Sequence, residues 1–207
     1  SIWNCHYGLN LERTKTELPA LKNNFITFGS FNNYNKINDN VIETWVNILK
    51  KLPGSKLLLK SSTKKENYKF KDLLSEQNLE KSVVFLPTAK FFEDHINLYK
   101  NIDIALDTFP WNGVTTSFEA IWMGVPVITM KGNNFNSRCG ESINKNIQMD
   151  QLIAENKDDY IMKTLDLAKD IKKLSDVRDQ IFQKALQSPL FDTKKFSNEF
   201  FNLIKNI

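Results

Sequence analysis

Five short apolar runs alternate with helix-patterned stretches between residues 25 and 130, and few folds accept that order. The runs are Phe25–Ser30, Lys56–Lys60, Ser82–Leu86, Asp103–Asp107 and Pro126–Met130. Each is too short for a helix and is bounded by Gly, Pro or polar residues, as Pro53-Gly54 and Pro87 illustrate. Between the first two, Val41, Ile42, Trp45, Ile48 and Leu49 recur at helical spacing. Further helices are expected at 65–76, 92–100 and 115–123. A strand–helix alternation of this kind predicts a Rossmann-like parallel sheet with helices on both faces, because parallel strands need long crossovers that pack on the sheet. Beyond Met130 the pattern predicts helices alone, at 138–147, 149–154, 158–170, 173–187 and 193–205. Their apolar positions Leu165, Leu167, Leu174, Val177, Ile181, Phe182, Phe196, Phe200 and Leu203 are expected in a core or interface. Residues 1–24, with Gly8 and Pro19, read as an irregular lead-in, and 25–207 as one α/β domain with C-terminal helices.

Composition removes several classes of function. The 207 residues carry 28 basic and 24 acidic side chains, a mild net charge of +4. The basic residues are scattered and mostly Lys, with arginine only at Arg13, Arg138 and Arg178, so there is no basic stripe for nucleic acid. No apolar run is long enough to span a bilayer, and the N-terminal residues lack the pattern of a signal peptide. Cys5, Cys139, His6 and His95 are too few and too scattered for a structural zinc site. Reduced thiols and a cytoplasmic location are the expectation.

In open parallel sheets, ligands bind outside the carboxyl ends of the strands. That rule selects the loops 30–38, 60–64, 87–91, 107–115 and 131–138. The glycines, at 8, 29, 54, 113, 124, 132 and 140, form neither G-x-G-x-x-G nor a P-loop, and no Asp-x-Asp exists to hold a metal on a sugar nucleotide. What remains for a phosphate is a helix N-terminus and single lysines, without metal.

The segment Asp107-Thr108-Phe109-Pro110-Trp111-Asn112-Gly113-Val114-Thr115-Thr116-Ser117-Phe118-Glu119-Ala120 follows a strand, turns at a glycine and opens a helix with three hydroxyl residues. Unpaired N–H groups there would attract an anion, and Thr115 and Thr116 add hydroxyl donors. Thr116-Ser117-Phe118-Glu119 also reads as an ordinary capping box. Gly124 is placed to end this helix before Val125-Pro126-Val127 starts the next strand.

Six segments in order resemble the C-terminal catalytic half of the O-GlcNAc transferase and SPINDLY-type protein glycosyltransferases, which have the GT-B architecture. They are Thr27-Phe28-Gly29-Ser30-Phe31-Asn32-Asn33 with Lys36, Leu106-Asp107-Thr108, Asn112-Gly113-Val114-Thr115-Thr116, Trp122-Met123-Gly124-Val125-Pro126-Val127, Ser137-Arg138 and Ser188-Pro189-Leu190-Phe191-Asp192. The resemblance implies a glycosyltransferase half that binds a UDP-sugar, without metal or other cofactor, and serves transfer to protein side chains, with N-acetylglucosamine one candidate sugar. A nucleotide-binding module without transfer, or an Asn-glycosylating relative, are the alternatives.

By the same resemblance, Lys36 contacts the pyrophosphate as the catalytic cation and Asn33 lies near phosphate and sugar. Gly113 belongs to the UDP-sugar site, Thr115 and Thr116 hold the β-phosphate, and Glu119 grips the ribose. Ala89 marks the backbone that reads the uracil edge, and His95 lies near the uridine. One departure stands out: Val114 occupies a position where the family commonly has His. The expected partners are an acceptor protein, an N-terminal catalytic half and tetratricopeptide repeats upstream. The general base is not assigned to this half.

Overall fold

A computed structural model describes residues 13, 15–60 and 68–205. The expectations for residues 1–12 and 61–67, including most of the lead-in, most of the 60–64 loop and the start of the second helix, lie outside the described residues.

The five expected strands form as β1 Thr27–Ser30, β2 Lys56–Lys60, β3 Val83–Leu86, β4 Ile104–Leu106 and β5 Val127–Met130. A sixth, β6, covers Ile153–Ala154 where the sequence suggested helix. The preceding residues Asp150–Leu152 make one 3-10 turn, and Ile153 and Ala154 then pair beside Thr129 and Met130. Two residues are too few to show a period of two, so only the waiting edge of β5 makes them a strand. All neighbours pair in parallel, in the order β3-β2-β1-β4-β5-β6. This is the Rossmann order, and strand order reverses between β1 and β4.

The helices are α1 Pro19–Asn23, α2 Asp39–Lys51, α3 Tyr68–Glu76, α4 Phe92–Asn97, α5 Thr115–Trp122, α6 Cys139–Asn146, α7 Lys157–Lys169, α8 Ile171–Gln187 and α9 Thr193–Lys205. Helix α1 lies in the stretch expected to be irregular; Pro19 starts it, and Asp103 accepts the Ala20 N–H at 2.9 Å. Helix α2 starts at the Asn38 cap and buries Val41, Ile42, Trp45, Ile48 and Leu49. Each such side chain contributes about 1.5–3 kcal/mol on leaving water. The expected 92–100 helix ends early, and Leu98–Asn101 tighten into a 3-10 turn that leads into β4.

Leu165, Leu167, Leu174, Val177 and Ile181 are buried as expected. Phe200 and Leu203 are not: they stay 53% and 67% exposed on α9, a helix that buries no residue. Gly124 adopts φ +74° at the end of α5, where the Val125 N–H bonds back to Ala120 O at 2.8 Å. That left-handed turn swings the chain into β5 and favours glycine.

Candidate functional site

The reversal of strand order opens the sheet edge between the loops after β1 and β4, and most of the sequence-selected residues gather there. Asp107 is the centre. It leaves the buried strand β4 fully enclosed, with no room for water to solvate its carboxylate. Its Oδ1 accepts the Gly113 N–H at 2.6 Å and the Thr108 N–H at 2.9 Å. Its Oδ2 accepts the Thr129 hydroxyl at 2.7 Å. Burial pushes its pKa up to about 6, against the pull of these donors and of the Lys36 charge. At neutral pH this setting therefore still holds a carboxylate.

That carboxylate folds the loop. Asn112, fully buried, donates from Nδ2 to Thr108 O at 2.9 Å and to Met130 O at 3.4 Å, while its Oδ1 accepts the Gly140 N–H at 3.3 Å. Gly113 fits only without a side chain: a Cβ there would lie 2.7 Å from the Ser117 and Thr116 hydroxyls and 2.9 Å from Asn32 Oδ1. The Gly113 N–H is committed to Asp107, so Gly113 serves the site by permitting close approach.

Helix α5 then begins without a side-chain cap. Val114 is its N-cap, and the capping box suggested by Thr116-Ser117-Phe118-Glu119 is not made. The Ser117 and Phe118 N–H groups both point at Val114 O, each at 3.0 Å. The Thr115 and Thr116 N–H groups have no acceptor among the described residues. They face outward with the helix dipole behind them, and Thr115 itself is exposed. Thr116 donates its hydroxyl to Asn32 Oδ1 at 2.9 Å, which ties the helix start to the β1 loop. The valine packs its side chain toward the core.

From the β1 loop, Lys36 reaches across to the same place. Its Nζ donates to Asn112 O at 2.9 Å and lies 5.3 Å from the Trp111 ring centroid. Burial lowers its pKa, and Asp107 and Cys139 partly restore it. One ammonium hydrogen is used by Asn112, leaving two for an anion. Asn33 behaves differently. It is exposed, and its Oδ1 accepts the Asn35 N–H at 3.0 Å, capping the turn that carries Lys36. Asn32 is the amide that meets α5.

Glu119 lies one turn further along α5, only 3% exposed. His95 Nε2 stands 2.9 Å from its Oε2, and the Tyr99 hydroxyl lies 3.0 Å from the same oxygen and from Thr116 O. The buried His95 Nδ1 has no partner among the described residues. Helix α4 is thereby fixed against α5. Ala89 sits half-buried in the loop after β3, on the same edge of the sheet and two strands from β1. No hydrogen bond joins it to the other site residues among those described. No group of three or more His, Cys, Asp or Glu able to hold a metal occurs among the described residues.

Sequence reasoning assigned no role to Asp107, Asn32, Asn112 or Tyr99. An ionisable residue closing an apolar strand was the available signal for Asp107. The other three are ordinary in sequence and become informative only through their partners.

Residues 10–200 match glycosyl transferase family 41. A probable UDP-N-acetylglucosamine–peptide N-acetylglucosaminyltransferase SPINDLY of Solanum lycopersicum is 36% identical over 193 residues, 91% of this chain and 21% of that protein. A UDP-N-acetylglucosamine–peptide N-acetylglucosaminyltransferase of Caenorhabditis elegans is 26% identical over 192 residues, 93% of this chain and 16% of that protein. Among solved structures, a mutant O-GlcNAc transferase of Thermobaculum terrenum superposes with a TM-score of 0.82 at 28% identity, over 88% of this chain and 36% of that one. The C-terminal domain of a group 1 glycosyl transferase from Francisella tularensis shares the fold, with a TM-score of 0.64 at 14% identity over 87% of this chain and 94% of that one. The chain spans about a fifth of the length of the curated relatives it matches first. Its parallel sheet is the Rossmann-like half of a GT-B glycosyltransferase. With the match running from residue 10 to residue 200 and a relative 36% identical along nine-tenths of it, the chain belongs to glycosyl transferase family 41.

Proposed function

We propose that this domain is the donor-binding half of a metal-independent glycosyltransferase that moves a sugar from a UDP-sugar to protein side chains. The observation that carries the reading is one juxtaposition. The Lys36 ammonium and the two open N–H groups of α5 converge where the strand order reverses. That is an anion site, and a pyrophosphate fits its two positive elements. On this reading the phosphates lie between Lys36 and the Thr115–Thr116 helix start, with Asn33 on the outer loop. The ribose lies toward Glu119 and His95, and the base toward the Ala89 loop. The named relatives are UDP-N-acetylglucosamine–peptide transferases, which favours that donor.

In the reaction, an acceptor oxygen or nitrogen attacks the anomeric carbon as the bond to the β-phosphate oxygen breaks. Negative charge grows on the departing UDP. Lys36 and the α5 dipole are already aimed at that charge, so they stabilise it without reorganisation. The acceptor contacts and the proton-accepting base are assigned to an N-terminal half of a longer polypeptide, with tetratricopeptide repeats for peptide binding. The relatives' greater length supports this. Among the described residues no helix is long and apolar enough to cross a membrane, and the reading places the enzyme in the cytoplasm.

Val114 favours a second reading, nucleotide binding without transfer, because a valine neither donates a hydrogen bond nor carries charge. Titrating UDP with and without EDTA, then assaying radiolabelled UDP-N-acetylglucosamine on peptides with the full-length protein, tests both. Unchanged affinity in EDTA together with transfer is expected. Binding abolished by EDTA refutes metal independence, and binding without transfer selects the second reading.

A further inference from the structure

The two oxygens of the buried Glu119 carboxylate are treated differently. Oε2 has two donors facing it, His95 Nε2 at 2.9 Å and the Tyr99 hydroxyl at 3.0 Å. Oε1 has no hydrogen bond among the described residues, and it is not one of the buried side-chain atoms left without a partner, so it reaches the surface. A glutamate carboxylate turns easily about its last side-chain bond, a broad torsion with two equivalent settings. Keeping one oxygen inward and the other outward therefore needs a donor that holds one setting. Tyr99 is such a donor. It is 2% exposed on the 3-10 turn Leu98–Asn101, and its ring meets Phe31 edge-on at 4.9 Å and His95 at 5.8 Å between centroids. Burial, and then the Glu119 charge, raise its pKa well above the ordinary value, so the hydroxyl keeps its hydrogen. The Thr116 carbonyl lies 3.0 Å from the same hydroxyl, and of the two acceptors the charged one attracts the hydrogen more strongly. His95 donates only when Nε2 carries the hydrogen, whereas the phenol always has one to give.

We propose that Tyr99 is a positioning residue for ribose recognition: its hydroxyl holds the Glu119 carboxylate in the setting that turns Oε1 toward the ribose hydroxyls. This rests on the reading of Glu119 as the ribose acceptor given above. Tyr99 touches no ligand itself and acts through Glu119. Without the hydroxyl, the inward oxygen keeps His95 alone, and the carboxylate is free to turn and divide its acceptors between His95 and the surface. A ribose then meets a carboxylate that is aimed at it only part of the time. The phosphate contacts are untouched by this change, because Lys36 and the Thr115 and Thr116 N–H groups make no bond to Tyr99. The consequence is confined to the discrimination between ribose and deoxyribose.

The test is a double-mutant cycle read as the ratio of 2′-deoxy-UDP to UDP dissociation constants, by calorimetry on wild type, Tyr99→Phe, Glu119→Ala and the double variant, with thermal melts to verify folding. Phenylalanine keeps the ring contacts to Phe31 and His95 and removes only the hydroxyl. Tyr99→Phe should lower the preference for UDP by about two- to tenfold, the range of one hydrogen bond, and leave deoxy-UDP binding within about twofold of wild type. In the Glu119→Ala background the same substitution should leave the ratio unchanged, because the residue it acts through is gone. Equal weakening of both ligands by Tyr99→Phe would mark a purely structural residue and overturn the proposal. An unchanged ratio, or an equal fall with and without Glu119, would overturn it as well. A wild-type chain that binds UDP and deoxy-UDP equally would remove Glu119 from the ribose site, and Tyr99 with it, while leaving the anion site standing. Absence of any UDP binding by the wild-type chain would remove the donor-binding reading itself and everything that rests on it.

Discussion

Lys36→Ala separates the phosphate from the rest of the nucleotide. The ammonium is half-buried and spends one hydrogen on Asn112 O, so two remain for phosphate oxygens. A charge-assisted hydrogen bond contributes about 1.5–3 kcal/mol, which is about a 13- to 160-fold change in Kd. The loss should appear for UDP and not for uridine, because the proposed reading puts the base and ribose contacts on the Ala89 loop, His95 and Glu119. Lys36→Met removes the charge while keeping most of the stem against Trp111. It should match the alanine variant, so that the charge and not the packing accounts for the effect. Removing Lys36 also takes away a charge that lowers the Asp107 pKa, now about 6. The titrations therefore belong near pH 8, where Asp107 stays ionised with or without the lysine. Calorimetry suits UDP, and NMR shift titration suits the weaker uridine. Equal losses for UDP and uridine would refute the assignment.

Glu119→Gln should reduce the preference for UDP over deoxy-UDP, because an amide accepts through only one oxygen, while melting temperature changes little if the amide oxygen keeps the His95 and Tyr99 contacts; an unchanged preference would remove Glu119 from the ribose site. Asp107 binds its proton more tightly in the folded protein than in the unfolded chain, so its stabilisation is complete below about pH 3.8 and lost as pH rises to about 6. Urea melts of wild type and Asp107→Asn should therefore diverge between those values, against wild type with rising pH and by at most about 3 kcal/mol, and a flat difference would refute the raised pKa.

Where burial alone decides structure, the sequence was readable. The five strands are continuous apolar runs, and a run such as Val127-Ile128-Thr129 has few alternatives to the middle of a parallel sheet. Legibility failed where a neighbour decides. Ile153–Ala154 is a strand because β5 offers an open edge. Phe200 and Leu203 have helical spacing identical to that of buried residues, but the described residues leave both exposed. In the proposed site, the motif around Gly113 and the Thr115–Thr116 pair suggested an anion position through its residue types, and the structure leaves the Thr115 and Thr116 N–H groups open. The Asp107 network could not be seen the same way. Asn32 and Asn112 are two asparagines in a chain rich in them, and only the fold brings one to Thr116 and the other to Gly140.

This difference bears on how Val114 should be judged. As a motif departure it suggests a damaged site, because the family commonly has His there. On the proposed reading the anion is held by two backbone N–H groups and by Lys36. The Thr115 and Thr116 N–H groups are open because α5 starts uncapped, and α5 starts there because Asp107 holds the Gly113 N–H. None of these donors belongs to a side chain at position 114. On the proposed reading, a substitution there alters what stands beside the phosphates and leaves the helix start itself in place. The vulnerable residue is instead Asp107. Its carboxylate organises the loop that presents both the helix start and the Asn112 carbonyl bound by Lys36. On the proposed reading, variation at position 114 is tolerated more readily than loss of the buried carboxylate that shapes the loop.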